Sequence, residues 1–127
     1  RKPETVQTLL AAFAHTDAAG EAVSRIISAG IVPAAVEIMD RLAIEAAEAA
    51  VHANYPDATA ILLVELDGPR TEVAQQQARV EAICRERNAT EIRFARNDEE
   101  RALMWKGRKA AFAAVGRISP NYIVQDG

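Results

Sequence analysis

An arginine in the middle of an apolar helical face is the residue of this chain best placed to do chemistry. With 100° between successive residues, Met104, Trp105, Arg108, Ala111, Phe112 and Val115 fall within one arc of roughly 120°. Lys106, Lys109, Ala110 and Ala113 fall on other sides of the same helix. A guanidinium in such an arc must be satisfied by a carboxylate partner, by backbone carbonyls or by an anionic ligand. Two readings follow. One is a structural ion pair with one of the chain's glutamates. The other is a grip on a carboxylate-bearing substrate, because arginine can hold a carboxylate through two parallel hydrogen bonds.

The remaining reactive side chains form no complete constellation. Glu37 and Asp40 are three positions apart on a strand, so they point to opposite faces and cannot act as a paired acid and base. A salt bridge or a helix cap is the reading for both. His15 and His52 each lack a second nearby histidine or cysteine, so no metal-ligand spacing exists, and His52 falls on a solvated helix face with Glu45 and Glu48. Cys84, the single cysteine, excludes an internal disulfide, reads as a small buried hydrophobe and fits a reducing, cytoplasmic setting. There is no nucleophile elbow, Walker loop or paired CxxC.

Composition narrows the class. The 127 residues suffice for one domain with a substantial core, and with 50% hydrophobic and 26% charged residues the composition is that of an ordinary globular chain. Only 5% is aromatic, so alanine must carry much of the core through close helix approach. A net charge of −3 and the lack of a basic stripe argue against nucleic acid as a partner. No run is long and apolar enough to span a membrane. Beginning at Arg1 without a methionine, the sequence reads as a fragment.

The elements that must position Arg108 alternate along the chain. Residues 6–14 read as a strand, and a helix follows with Thr16 or Asp17 as its cap and Gly30 at its end. A strand over 31–40, with Pro33 near its start, leads into an alanine-rich helix over 41–53, supported by Arg41 and Glu45. Residues 59–66 form the most buried strand, 71–87 a helix and 90–96 a short strand. Asn97 and Glu100 make a capping-box pair for a last helix from 98 to about 115, closed by Gly116. Tyr122–Val124 can add a final strand. This alternation suits a parallel α/β sheet or an antiparallel sheet on the split β-α-β plan. No turn carries the glycine-rich phosphate loop of a dinucleotide-binding parallel sheet. Leu9, Phe13, Met39, Ile61 and Leu63 suggest a second apolar sheet face, covered by something outside the chain or by a second copy in a homodimer.

The string from Trp105 to Tyr122, Trp-Lys-Gly-Arg-Lys-Ala-Ala-Phe-Ala-Ala-Val-Gly-Arg-Ile-Ser-Pro-Asn-Tyr, ending Val124-Gln125-Asp126-Gly127, resembles the C-terminal domain of FAD-linked oxidases. Pro33–Asp40 and Ala60–Gly68 look like strands of the same family in the same order, so the resemblance covers essentially the whole of residues 1–127. It implies an α+β fold, a ferredoxin-like antiparallel sheet with helices packed on one face. It also implies an incomplete cap domain that closes over a flavin and a 2-hydroxy acid, such as glycolate, D-lactate or D-2-hydroxyglutarate. The family's arginine three residues after the tryptophan contacts the substrate carboxylate, and by position that residue is Arg108. Lys109, Asn121 and Tyr122 are further candidates for lining the same cleft. The resemblance places the FAD-binding domain before Arg1 and the histidine-rich metal and catalytic motif after Gly127. No cofactor ligand, metal ligand or catalytic base is therefore assigned within the chain. A stand-alone binding or interaction module on the same scaffold is the competing expectation, and the gene around this segment would distinguish the two.

Overall fold

A computed structural model describes residues 5–118, with side chains to residue 114. The element order is β1 (Thr5–Phe13), α1 (Thr16–Ser28), β2 (Ala35–Asp40), α2 (Arg41–Val51), β3 (Ala60–Gly68), α3 (Arg70–Glu86), β4 (Glu91–Phe94) and α4 (Asp98–Ile118). The four strands form one sheet in the order β2-β3-β1-β4, and every neighbouring pair is antiparallel. β3 therefore lies between β1 and β2, the two strands that α1 connects. That is the split β-α-β arrangement, and it settles the choice that alternation left open in favour of α+β.

Register decides which side chains share a face. Leu10 sits opposite Leu63 and Ala12 opposite Ile61, while Leu63 and Ile61 sit opposite Glu37 and Met39 of β2. Leu9, Ala11 and Phe13 project to the other side, where they join Leu62, Val64 and Leu66 beneath α1 and α3. The expected second face therefore mixed two faces. Leu9 and Phe13 belong under α1 and α3, and Met39, Ile61 and Leu63 belong under α2 and α4.

The expectation of helices on one face is corrected as well: α1 and α3 cover one face, α2 and α4 the other. The cause is local. Asp40 ends β2 and at once caps α2, its carboxylate accepting from the Ala43 N–H at 2.9 Å, so α2 starts on the opposite side of the sheet from α1. The apolar face that suggested a second copy is thus occupied by the chain's own α2 and α4.

Other departures have plain reasons. β2 begins at Ala35, not residue 31, because Ile31 is drawn into the core under α1 and Pro33 has no N–H to give the ladder. Gly30, with φ +84, closes α1 as expected, and its N–H donates to the Ile27 carbonyl at 3.0 Å. His15, not Thr16 or Asp17, holds the position before α1 and makes no side-chain cap bond. α2 ends at His52, which adopts the left-handed conformation with φ 51. Asn97 caps α4 by accepting from the Glu100 N–H at 2.9 Å, but the Glu100 carboxylate turns back to the Arg96 N–H, so only half of a capping box forms. α4 continues through Gly116 to Ile118. The expected strand at Tyr122–Val124 lies outside the described residues.

Candidate functional site

α4 meets the sheet through a line of polar contacts. Near its start, Arg101 Nε donates to Glu65 Oε1 at 3.0 Å. One turn on, the Trp105 indole N–H points at the buried Thr8 hydroxyl at 3.4 Å, and that hydroxyl donates to Glu65 Oε1 at 3.1 Å. Two turns from Arg101, Arg108 Nη2 donates to Glu37 Oε2 at 2.8 Å. The seven-residue spacing repeats the same helical face, so both arginines reach acids of one sheet face. Register places those acids there, since Glu65 pairs with Ala35 and Glu37 with Leu63 on adjacent strands.

Arg108 is held from several directions. Its side chain and that of Glu37 are 19% and 20% exposed, so the pair is largely withdrawn from solvent. The guanidinium lies over the Phe112 ring, 4.3 Å from its centroid, one turn along the same helix. At the backbone end, the Tyr55 hydroxyl donates to the Met104 carbonyl, one turn before Arg108. Burial pushes this phenol's pKa well up, with the Glu48 charge adding to the rise and the Arg108 N–H opposing it.

Gly107 makes that approach possible. A Cβ at this position would stand 2.7 Å from Tyr55 Cζ and 2.8 Å from the Ala53 Cβ. The loop that brings Tyr55 there is tied down on three sides. Tyr55 N–H donates to Glu48 at 2.5 Å, Arg41 bonds Asp57 and the Ala58 carbonyl, and Arg93 donates to the Asn54 carbonyl at 2.6 Å.

The described structure brings the sequence candidates together only in part. Arg108 occupies the predicted arc with Met104 and Ala111 buried beside it, and Glu37 and Asp40 are the salt bridge and the helix cap they were read to be. Lys109 is exposed on a different side of α4. Asn121 and Tyr122 lie outside the described residues. Tyr55 was missed, and nothing local marks it, because its partner lies in another element. Gly107 did carry a signal: an isolated glycine inside a helical pattern usually has a packing or functional reason.

The space around Arg108 is small. The crevice bounded by Glu37, Met39, Ala43, Ala111 and Phe112 holds about 10 Å³, room for one water at most. A larger cleft of about 540 Å³ opens between Tyr55, Arg93, Phe94 and the start of α4, and its arginines are paired: Arg93 with Glu91 and Arg96 with Glu100. Among the described residues no group of three or more His, Cys, Asp or Glu could hold a metal. His15 and His52 are exposed at helix ends. Cys84 is fully buried, and burial pushes its thiol up to about 12, with Glu81 contributing, so it is not a nucleophile.

The described residues do not fit a flavin either. Both sheet faces are closed by the chain's own helices, and the turns into α1, α2 and α3 offer no glycine-rich phosphate cradle. No described helix is long and apolar enough to cross a membrane.

Comparison with known proteins adds a family to this geometry. The chain is 50% identical to the glycolate oxidase subunit GlcD of Escherichia coli K12 over 127 residues, 99% of this chain and 26% of that protein. It is 37% identical to Bacillus subtilis GlcD over 126 residues, 98% of this chain and 27% of that one. A probable mitochondrial D-lactate dehydrogenase of Danio rerio is 25% identical over 118 residues, 93% of this chain and 24% of that protein. The chain thus spans about a quarter of the length of these curated relatives. Among solved structures, an alkyldihydroxyacetonephosphate synthase superposes with a TM-score of 0.59 at 17% identity, over 68% of this chain and 20% of that one, a likeness of fold alone. The family model for FAD linked oxidases, C-terminal domain, matches residues 2–127, and with the antiparallel α+β architecture it places this chain in that family.

Proposed function

We propose that this chain is the substrate-side cap of an FAD-dependent oxidoreductase acting on a small 2-hydroxy acid of the glycolate or D-lactate kind, and that Arg108 binds the substrate carboxylate. One observation carries the second half of this reading: a guanidinium sits on the interior face of α4, in the motif by which the chain resembles its family, with its plane set by Glu37 and Phe112. A substrate carboxylate would reach the guanidinium through the 19% of the Arg108 side chain that faces solvent, since the crevice beside Glu37 admits no more than a water. Holding the substrate by its carboxylate restricts which face of C2 is presented, a proximity and orientation effect. Lys109, Asn121 and Tyr122 are proposed to line the approach, Lys109 by adding positive charge from the exposed side of α4. The flavin belongs to a part of the parent outside this chain, as does the catalytic base, and no step is assigned to either here. A cytoplasmic location and lack of activity in the isolated chain belong to the same proposal.

The test is Arg108→Met in the full-length parent, with glycolate and D-lactate as substrates. Loss of one charged hydrogen-bonding partner should lower kcat/KM at least about tenfold, chiefly through KM. Unchanged kinetics in a folded variant would remove the carboxylate role.

A further inference from the structure

The contact between Glu37 and Arg108 supports a finer inference, which rests on the reading of Arg108 as the carboxylate anchor. We propose that Glu37 is a positioning residue, which aims the Arg108 guanidinium before substrate arrives. The pair joins α4 to β2 at 2.8 Å, and neither partner is more than about a fifth exposed. An exposed pair averages over many geometries, whereas this one is confined by its surroundings. The crevice around it, formed by Met39, Ala43, Ala111 and Phe112, holds only about 10 Å³, so the pair is closely packed on that side.

The two ends of Arg108 are fixed independently. Tyr55 holds the Met104 carbonyl at the Gly107 notch, one turn before Arg108, Phe112 lies under the guanidinium, and Glu37 sets the direction of Nη2. A long flexible side chain ordinarily gives up rotamer freedom when it binds a ligand; here Glu37 has removed that freedom in advance. Glu37 acts through Arg108 and does not itself touch the substrate.

The experiment is a double-mutant cycle in the full-length parent, with steady-state turnover of glycolate as the readout and thermal unfolding of each variant as the check on folding. Glu37→Ala is expected to lower kcat/KM about tenfold, within the roughly hundredfold that a misplacement of about 1 Å can cost. Glu37→Gln, whose amide oxygen can still accept from Nη2, should recover most of that loss. In the Arg108→Met background, Glu37→Ala should change kcat/KM no further, because the group it positions is gone. If Arg108→Met lowers kcat/KM while Glu37→Ala leaves it intact, the positioning role is overturned. It is equally overturned if Glu37→Ala costs as much again in the Arg108→Met background, or if Glu37→Gln is as damaging as Glu37→Ala. If Arg108→Met itself has no effect, the failure lies with the carboxylate-anchor reading instead.

Discussion

Replacing Gly107 with alanine should destabilise this protein, although alanine is the better helix former. In an unobstructed helix interior the change would stabilise by about 1 kcal/mol. Here the new methyl would stand 2.7 Å from Tyr55 Cζ and 2.8 Å from the Ala53 Cβ, about an ångström inside the optimum carbon–carbon separation. The loop cannot simply retreat, because Arg41, Glu48 and Arg93 hold it. Overpacking of this kind costs about 1–3 kcal/mol, and moving Tyr55 sacrifices its hydrogen bond to the Met104 carbonyl for about 1 kcal/mol more. The net loss is about 2 kcal/mol, a fall in Tm of roughly 5–10 °C for a domain of this size. Thermal unfolding followed by circular dichroism measures it directly. Gly20 of α1 supplies the control, since nothing lies within 4 Å of a Cβ there and Gly20→Ala should raise Tm. A Tm that rises in both variants would show that helix propensity outweighs the contact and that the notch at Gly107 is not tight.

Other expectations follow from the same structure. Asp40→Ala should cost about 1 kcal/mol, because α2 loses its N-cap, and chemical denaturation would detect it as a lower midpoint at unchanged slope. Cys84 should resist thiol reagents in the folded chain and react only on unfolding; rapid stoichiometric labelling of folded protein would contradict its burial. The thiol's pKa is raised by burial to about 12, so its contribution to stability is complete below the unfolded thiol's range. It is lost as pH rises through that range toward 12, by up to about 1.4 kcal/mol per pH unit. Alkaline unfolding curves of Cys84→Ala should therefore be flatter between those limits, and identical curves would refute the assignment. The isolated chain should purify colourless; a yellow preparation with a flavin spectrum would place a flavin site where none is formed by the described residues.

Sequence periodicity located all eight described elements to within a few residues, because the apolar spacing of each was unambiguous. It failed where the answer depended on partners from elsewhere in the chain. Leu9 and Leu63 look alike as buried strand residues, and only pairing shows that they project to opposite faces. α2 was legible as a helix, but the side on which it packs is set by Asp40 ending β2 and capping α2 in one step. The arc around Arg108 was readable because helical spacing alone generates it. The identity of its partner was not, since Glu37 lies far off in sequence and was only one of many available acids. Gly107 interrupts a helical pattern visibly, whereas Tyr55 has meaning only once the loop after α2 is folded against α4.

The line of contacts from Arg101 to Arg108 has a practical consequence for spectroscopy. Trp105 is the single tryptophan of the chain, and it sits between the two arginine–glutamate contacts with its indole N–H directed at the buried Thr8 hydroxyl. Tryptophan emission from this chain is therefore a report on one joint, the seat of α4 on the sheet. Any event that lifts the helix exposes the indole to water and shifts its emission to longer wavelength. Release of α4 can thus be timed against loss of the secondary structure as a whole, which far-ultraviolet circular dichroism follows, with no label introduced.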